Sequence, residues 1–330
     1  MKQMLIFLLL ISLLLCGCGG QAQTETPEST GLPANIMQKE DPKGDEEMNI
    51  LFIGDSSCHY WTDELWGLLD AAGYENVNVC NVYYDGCTLK QYWTFHEENA
   101  TKFEFRTANS GGRKSQKEFT LAGALQMYNW DVISFQNSKT SMYKGGDKAG
   151  ALATTEPYLS NLYEYVHDQY PLSNYYWHQN WSCEVGYDNS VYQMTSVDMR
   201  TEEYEKQKYV AEEVAKKYGF KIIPTGDAWE KVRDLPLFRT PIEGVNLEEF
   251  TLCSRIHNNK FMDDLGHDGD IGGGQYLNAC VAFEVITGQS CVGNTFCPKY
   301  ELSGIDCSLT AEKIGILQNA AHEAVAALSK

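Results

Sequence analysis

Two hydrophobic periods alternate along this chain. Asn49 to Ile53 runs through four consecutive apolar residues, Ile50 to Ile53, to Gly54, the pattern of a strand buried on both faces of a parallel sheet. Val77 to Tyr83, Trp130 to Gln136, Asn174 to His178 and Lys221 to Pro224 are expected to be four further strands. Helical spacing lies between them. One helix is expected from Thr62, with Asp63 and Glu64 in its first turn and Gly73 past its end, and a strongly charged one from Thr201 to Tyr218. Strands separated by helices require right-handed crossovers, so the fold class is α/β with a doubly wound sheet. The interval from Lys90 to Ala122 is too long for a simple connection. Its alternation at Lys102-Phe103-Glu104-Phe105-Arg106 predicts an inserted hairpin, and Asn109-Ser110-Gly111-Gly112 a mobile loop.

The N-terminus follows a different pattern. The apolar run from Met4 to Leu15, behind Lys2, is shorter than the roughly 20 residues of a bilayer span and has the length of a signal-peptide core. It ends in Leu15-Cys16-Gly17-Cys18, which resembles a bacterial lipobox, with Cys18 as the lipidated residue because Cys16 follows Leu15 where a small residue is needed. Residues 18–47 are rich in Gly, Gln, Thr, Glu, Pro and Lys, a linker composition with too little apolar surface to offset the entropy of ordering. The expected organisation is therefore a signal peptide over 1–17, a tether over 18–47 and one domain over 48–330, held outside the cytoplasm on a membrane by its lipid.

Charge narrows the partners. With 26 Lys and Arg against 45 Asp and Glu the formal charge of the 330 residues is −19, and without a basic stripe no nucleic-acid partner is expected. Seven Trp and 20 Tyr suit a carbohydrate better. Trp61, Trp66, Tyr83, Tyr84, Tyr92 and Trp93 are either a stacking platform for sugars or core residues. Nine cysteines remain beyond Cys16 and Cys18; an odd number leaves at least one free thiol, and the loop-like segment around them makes Cys291 with Cys297 or Cys307 the expected local bridge. No cofactor and no metal is expected. No paired cysteines stand with paired histidines as zinc requires, and Asp263, Asp264, Asp268 and Asp270 lack the spacing of a calcium loop.

Ligands of such sheets bind beyond the carboxyl ends of the strands. Gly54-Asp55-Ser56-Ser57 stands at the end of the first strand, and Asp264-Leu265-Gly266-His267 puts a carboxylate three residues before an imidazole. A nucleophilic serine needs a base, and the base needs an acceptor on its other nitrogen. Ser56, His267 and Asp264 supply these types in order. Cys58 and His59 offer a thiol alternative, but residues adjacent on one turn point apart. His178, at the end of the fourth strand, and Trp181 are candidates to line a substrate pocket.

On these motifs the sequence resembles the SGNH (GDSL-type) hydrolase superfamily, whose Gly-Asp-Ser stands here as Gly54-Asp55-Ser56 and whose Asp-x-x-His stands as Asp264 to His267. It is similar in particular to a bacterial subfamily of unknown function, through Ile50 to Gly54, Trp130 to Ile133, His178 to Trp181, Ile223 to Gly226 and Tyr276 to Ala279. The resemblance implies a three-layer α/β/α sandwich of about five parallel strands and ester hydrolysis, commonly deacetylation of carbohydrates. It also implies an oxyanion hole of the Ser56 N–H, the Gly86 N–H and a side-chain amide after the third strand. There the usual Gly-x-Asn-Asp is replaced by Phe135-Gln136-Asn137-Ser138, so Gln136 or Asn137 is the donor, with Gln136 favoured. The expected function is a serine esterase acting on an ester, an acetyl group foremost, of a carbohydrate or envelope glycan. An acyltransferase would use the same residues. A lipoprotein that captures sugars or solutes without catalysis is the alternative from another class.

Overall fold

The apolar run at Asn49 forms the middle strand of a seven-stranded sheet in the computed structural model, which describes residues 44–188 and 191–328. The expected signal peptide, Cys18 and most of the expected tether lie outside the described residues. Strand β1 (Gly44–Gly54) starts ahead of the expected domain boundary at 48. It is followed by β2 (Tyr74–Tyr83), β3 (Phe103–Asn109), β4 (Gly112–Phe119), β5 (Val132–Phe135), β6 (Asn174–Gln179) and β7 (Lys221–Pro224), in the spatial order β4-β3-β2-β1-β5-β6-β7. The five strands β2, β1, β5, β6 and β7 are parallel. The expected insertion is the antiparallel pair β3–β4, which extends the sheet beyond β2. Its Asn109–Gly112 connection is not a mobile loop but a tight turn, closed by the Gly111 N–H donating to Asn109 Oδ1 at 2.9 Å. At the outer edge β4 is exposed almost throughout and carries Arg113, Lys114 and Lys117.

Successive residues of β1 serve opposite faces, as the pleat requires. Ile50 and Phe52 pack with α1 (Thr62–Ala71), α8 (Thr225–Val232), α9 (Gly274–Thr287) and α10 (Ala311–Ala327). Leu51 and Ile53 join the core beneath α2 (Leu89–Glu97), α3 (Leu121–Leu125), α4 (Lys139–Lys144), α5 (Lys148–Thr155), α6 (Tyr158–His167) and α7 (Val197–Tyr218). The result is the three-layer α/β/α sandwich. Each fully buried side chain of this size contributes roughly 1.5–3 kcal/mol over its exposed state, so the unbroken apolar run can satisfy two helical layers at once. Helix α7 begins before the expected Thr201 because Ser196 caps it, its hydroxyl accepting from the Met199 N–H at 3.2 Å.

The nine described cysteines are all free thiols. The bridge expected from Cys291 does not form: its sulfur faces the Gln318 carbonyl, that of Cys297 faces Leu309 O, and that of Cys307 faces Ile305 O. The aspartates considered for calcium likewise serve the fold separately. Asp263 accepts from the Glu249 N–H, Asp268 from the Asn278 amide, and Asp270 from the Ile256 and Ile271 N–H groups.

The segment after β6 is fastened by charge. Glu184 and Arg233 are both completely buried, with Oε1 2.9 Å from Nη2. Glu184 Oε2 meets Arg239 at 2.8 Å, and Arg200 of α7 stands 3.8 Å away. Arg233 also donates through Nε to Glu184 Oε1 at 3.2 Å, to the Ser182 hydroxyl at 2.7 Å, to Glu230 at 2.6 Å and to the Ser182 carbonyl at 2.8 Å, which satisfies its remaining protons. Removing one partner of such a pair leaves an uncompensated charge and typically costs about 3–5 kcal/mol. Glu184→Gln, which strands Arg233 with less counter-charge, is therefore expected to lose stability of about that size in urea unfolding; a loss below about 1 kcal/mol, the scale of an exposed pair, would show the network to be dispensable.

Candidate active site

The carboxyl ends of the parallel strands form one rim, with Gly54 beside Tyr83, Ile53 beside Phe135 and Gln179 beside Pro224. The chain leaves β1 for β2 on one side and later returns to β5 on the other, so the switch point where such sheets bind ligands lies between β1 and β5. Ser56 follows β1 there. It opens a single 3₁₀ turn, Ser56–Cys58, capped by Asp55, whose carboxylate accepts from the Ser57 N–H at 2.9 Å. Two contacts fix the approach to this turn. The Gln136 carbonyl oxygen accepts from the Asp55 N–H at 3.0 Å, and the Tyr92 hydroxyl stands 2.9 Å from Gly54 O and 2.6 Å from Val82 O. Gly54 has no room for a side chain: a Cβ would lie 2.4 Å from Gln136 Oε1 and 2.6 Å from Cys58 Sγ.

His267 comes from the other side of the rim. The chain passes through a small hairpin, β8 (Arg255–His257) and β9 (Lys260–Met262), and then turns, with the His267 N–H donating to Asp264 O at 3.0 Å. His267 Nδ1 and Asp264 Oδ1 are 2.7 Å apart, which leaves Nε2 as the nitrogen free for chemistry. The second Asp264 oxygen receives Arg255 Nη2 at 2.6 Å. Burial works against the Asp264 charge, but the His267 hydrogen bond and the Arg255 cation outweigh it and hold this carboxyl below its ordinary range. Lys139, at the start of α4, donates to Gly266 O at 2.6 Å, and the Glu184 N–H donates to Leu265 O at 2.8 Å. The two sides of the site meet where the Tyr60 ring, four residues beyond Ser56 in sequence, stands edge-on to His267 at 6.1 Å. No hydrogen bond joins Ser56 and His267 among the described residues. In unliganded hydrolases this contact is often loose and tightens with substrate.

The candidate oxyanion donors fall into two groups. The Ser56 and Gly86 N–H groups have no acceptor among the described residues. Gly86 holds φ at +60°, in the left-handed region that favours glycine. The two side chains weighed for the third donor are otherwise engaged. Gln136 turns its side-chain oxygen, not its amide nitrogen, to the Ser56 turn, and its Nε2 donates to Asn137 O at 2.5 Å. Asn137 accepts from the Leu89 and Ser138 N–H groups at 3.2 and 3.0 Å and donates to Thr155 Oγ1 at 3.2 Å, which ties it to α2 and α5. Both therefore act here as struts.

His178 and Trp181 were expected to line the pocket, and the structure moves both beneath it. Trp181 is completely buried between the Lys139 ammonium, 3.9 Å from its ring centroid, and Trp229, stacked at 4.8 Å. His178 is 1% exposed, with Nε2 3.0 Å from Thr225 Oγ1. Burial, with the Lys139 charge adding to it, lowers its pKa to about 3, so it stays neutral. Cys58 and His59 are spent in the same way. Burial and the Asp55 charge push the Cys58 thiol well up, and burial and Arg106 lower His59 to about 3 while Asn81 Oδ1 holds its Nδ1 at 3.0 Å. Of the aromatic residues, Trp61 and Tyr92 are core, whereas Tyr83 and Tyr84 keep part of their surface. Arg255 and Lys139, which brace the His267 turn, carried no signal in the sequence, since neither lies in a motif or at a telling spacing from His267.

Over residues 49–237 the sequence matches the profile of a family described as a domain of unknown function, DUF4886. That span includes Ser56, Gly86 and Gln136 and ends before Asp264 and His267. Among solved structures, a DUF4886 family protein from Bacteroides uniformis superposes with a TM-score of 0.65 at 22% identity, covering 86% of this chain and 97% of that one, a likeness of fold. A putative GDSL-like lipase from Parabacteroides merdae gives a TM-score of 0.44 at 15% identity, over 77% of this chain and 98% of that one. A catalytic mutant of an acetylxylan esterase from Geobacillus stearothermophilus gives 0.41 at 15% identity, over the same shares of 77% and 98%. None of the curated proteins matches the sequence.

A buried acid lies under this end of the molecule. Glu64 of α1 accepts from Tyr300 at 2.5 Å, and the Gln275 amide, with its nitrogen turned inward, reaches Glu64 at 3.2 Å and Tyr60 O at 2.9 Å. Burial raises the Glu64 pKa to about 7. Because the folded value lies above the unfolded one, the folded state holds this proton longer, and the group's contribution to stability is lost as pH rises from about 4.5 to about 7. Glu64→Gln keeps the acceptor but not the charge. Its stability relative to wild type is expected to improve across that window in urea titrations at pH 4.5 and pH 7, and a difference independent of pH would show that Glu64 ionises freely in the folded chain.

Proposed function

The chain belongs to the DUF4886 family, a domain of unknown function, and from that premise we propose that it is a serine esterase of the SGNH type, removing an O-acetyl group from a carbohydrate or cell-envelope glycan. The observation that carries this reading is the 2.7 Å contact between Asp264 and His267 Nδ1 on the same rim as Ser56, with Arg255 on the far oxygen of Asp264. An imidazole fixed through Nδ1 presents Nε2 as a base, and a serine at the end of the central strand is the nucleophile that such a base serves.

In this mechanism Ser56 Oγ attacks the ester carbonyl as His267 Nε2 takes its proton. The carbonyl oxygen gains charge and is held by the Ser56 and Gly86 N–H groups, which are free to receive it. His267 returns the proton to the departing sugar hydroxyl as the C–O bond breaks, leaving an acetyl group on Ser56. Water, activated by the same imidazole, then releases acetate. Asp264 orients the ring and stabilises its cation, while Arg255 and Lys139 keep the turn in place. Leu15 to Cys18 supports export and attachment of the protein to a membrane through a lipid on Cys18.

With 4-nitrophenyl acetate as substrate, Ser56→Ala and His267→Ala are each expected to lower kcat by about 10³ or more, and the double variant little further, because the two act as a unit. Wild-type rates from folded Ser56→Ala would remove the mechanism. Arg255→Met is expected to cost roughly 10- to 100-fold in kcat with KM little changed, the effect of a misplaced base rather than a missing one; a change confined to KM would place Arg255 in substrate binding instead.

A further inference from the structure

Beside the oxyanion turn the rim opens into a cavity of about 340 Å³, lined by Tyr83, Tyr84 and Asp85 at the end of β2 and, on the adjoining strands of the inserted hairpin, by Glu104, Lys117 and Glu118, with Tyr83 paired directly to Glu104. Tyr83 pairs with Gly54, two residues before Ser56, at a strand spacing of about 5 Å, and Asp85 immediately precedes Gly86, so the cavity begins one strand over from the end of β1. Its size lies at the lower end of small-molecule sites, about 300–1,000 Å³.

The walls are built rather than incidental. Tyr83 is held between His59, stacked at 4.2 Å, and the Arg106 guanidinium, 5.3 Å from its ring centroid. Tyr84 is set edge-on to Phe95 at 5.3 Å. Both rings are thus fixed while part of each remains exposed. Next to β2 the pairing of β3 with β4 slips between Phe103 and Phe105, so that Lys117 and Glu118 together oppose Glu104. Glu118 takes φ of +65°, a backbone strain rare outside glycine. Bulges and strained residues of this kind re-aim side chains and gather beside functional sites. The carboxylates are half engaged. Glu104 meets both Arg106, at 2.5 Å, and Ser115 through Oε1, and Asp85 meets the Tyr83 hydroxyl through Oδ1 at 3.4 Å, so each keeps its second oxygen for an outside donor.

From this geometry we infer that the cavity is a glycan subsite, taking a neutral sugar unit next to the acetylated one. Both faces of Tyr83 are taken by His59 and Arg106, so the ring that suits the C–H face of a sugar is Tyr84, and carboxylate oxygens with free lone pairs suit the sugar's hydroxyl donors. With Glu104 paired to Arg106 the charges around the cavity balance, and an acidic sugar is disfavoured by the −19 that the chain as a whole carries. The inserted hairpin is then a specificity device, supplying the part of the lining that the parallel strands do not.

This inference rests on the esterase reading, and the test separates the two. The full chain is assayed on 4-nitrophenyl acetate, on singly O-acetylated xylose and glucose with their two- and three-unit β-1,4-linked oligomers, and on acetylated galacturonic oligomers. The kcat/KM for at least one neutral series is expected to rise about tenfold from one unit to two, the factor given by about 1.4 kcal/mol of added contact, and the acidic series to lag behind. Tyr84→Leu, which keeps an apolar neighbour for Phe95, and Thr101→Trp, which fills the cavity from its rim, should each lower the ratio of dimer to 4-nitrophenyl acetate activity about tenfold. Length-independent rates on both neutral series, preference for the acidic series, or a length effect that survives both variants would each overturn the subsite while leaving the esterase standing. If no ester is cleaved, 4-nitrophenyl acetate included, both fall.

Discussion

The arrangement depends on keeping the charge of Glu184 in the interior. A carboxylate with no access to water is tolerable only while cations and donors surround it, and here Arg233, Arg239 and Arg200 converge on it from α7 and from the chain after α8. That convergence fixes the backbone of the segment after β6, and the Glu184 N–H passes the constraint to Leu265 O. Asp264 and His267 sit on a turn with no helix or sheet of its own to set its position. It is located by polar contacts from three separate parts of the chain: Glu184 after β6, Lys139 after β5 and Arg255 in the β8–β9 hairpin. The serine side is held differently, by the sheet itself, with Gln136 and Tyr92 bracing a turn that follows directly from β1.

This difference explains what was legible in the sequence. The five parallel strands follow from apolar runs that need only local pattern to be seen, and the last of them, Lys221–Pro224, has the bounds expected of it. Ser56 was visible because a strand end is a local feature. Asp264 and His267 were visible only as a short motif, and what orients them was hidden, since Arg255 and Lys139 are brought there by tertiary folding and leave no periodic trace. The same limit misplaced Trp181 and His178. An aromatic and an imidazole just past a strand end look exposed, yet α8 and the Lys139 side chain close over them. For Gln136 the sequence suggested a side chain at the rim and could not say which end of the amide would face Ser56. The N–H of Asp55 decides that, because a buried donor needs an acceptor and the Gln136 oxygen is the one within reach.

The polar interior beneath the rim works in two opposing directions with acidity. His59 and His178 are buried as neutral rings and resist protonation, which favours the fold above about pH 6.5 and withdraws that support as pH falls. Glu64 and Asp268 are buried carboxyls whose pKa values burial raises, so they favour the fold at lower pH. The protein thus balances groups of opposite sign under one site rather than relying on a single ionisation.

The outer strand β4 has a bearing on how copies of the protein meet. An unpaired sheet edge is a template on which another chain can add a strand, and successive additions lead to aggregates. Here the edge carries Lys114 and Lys117, whose solvated cations would be brought against one another in an edge-to-edge pairing of two copies, while Arg113 is held by Asp63. The hairpin that widens the sheet therefore also ends it, and the edge needs no covering helix to resist pairing with another copy.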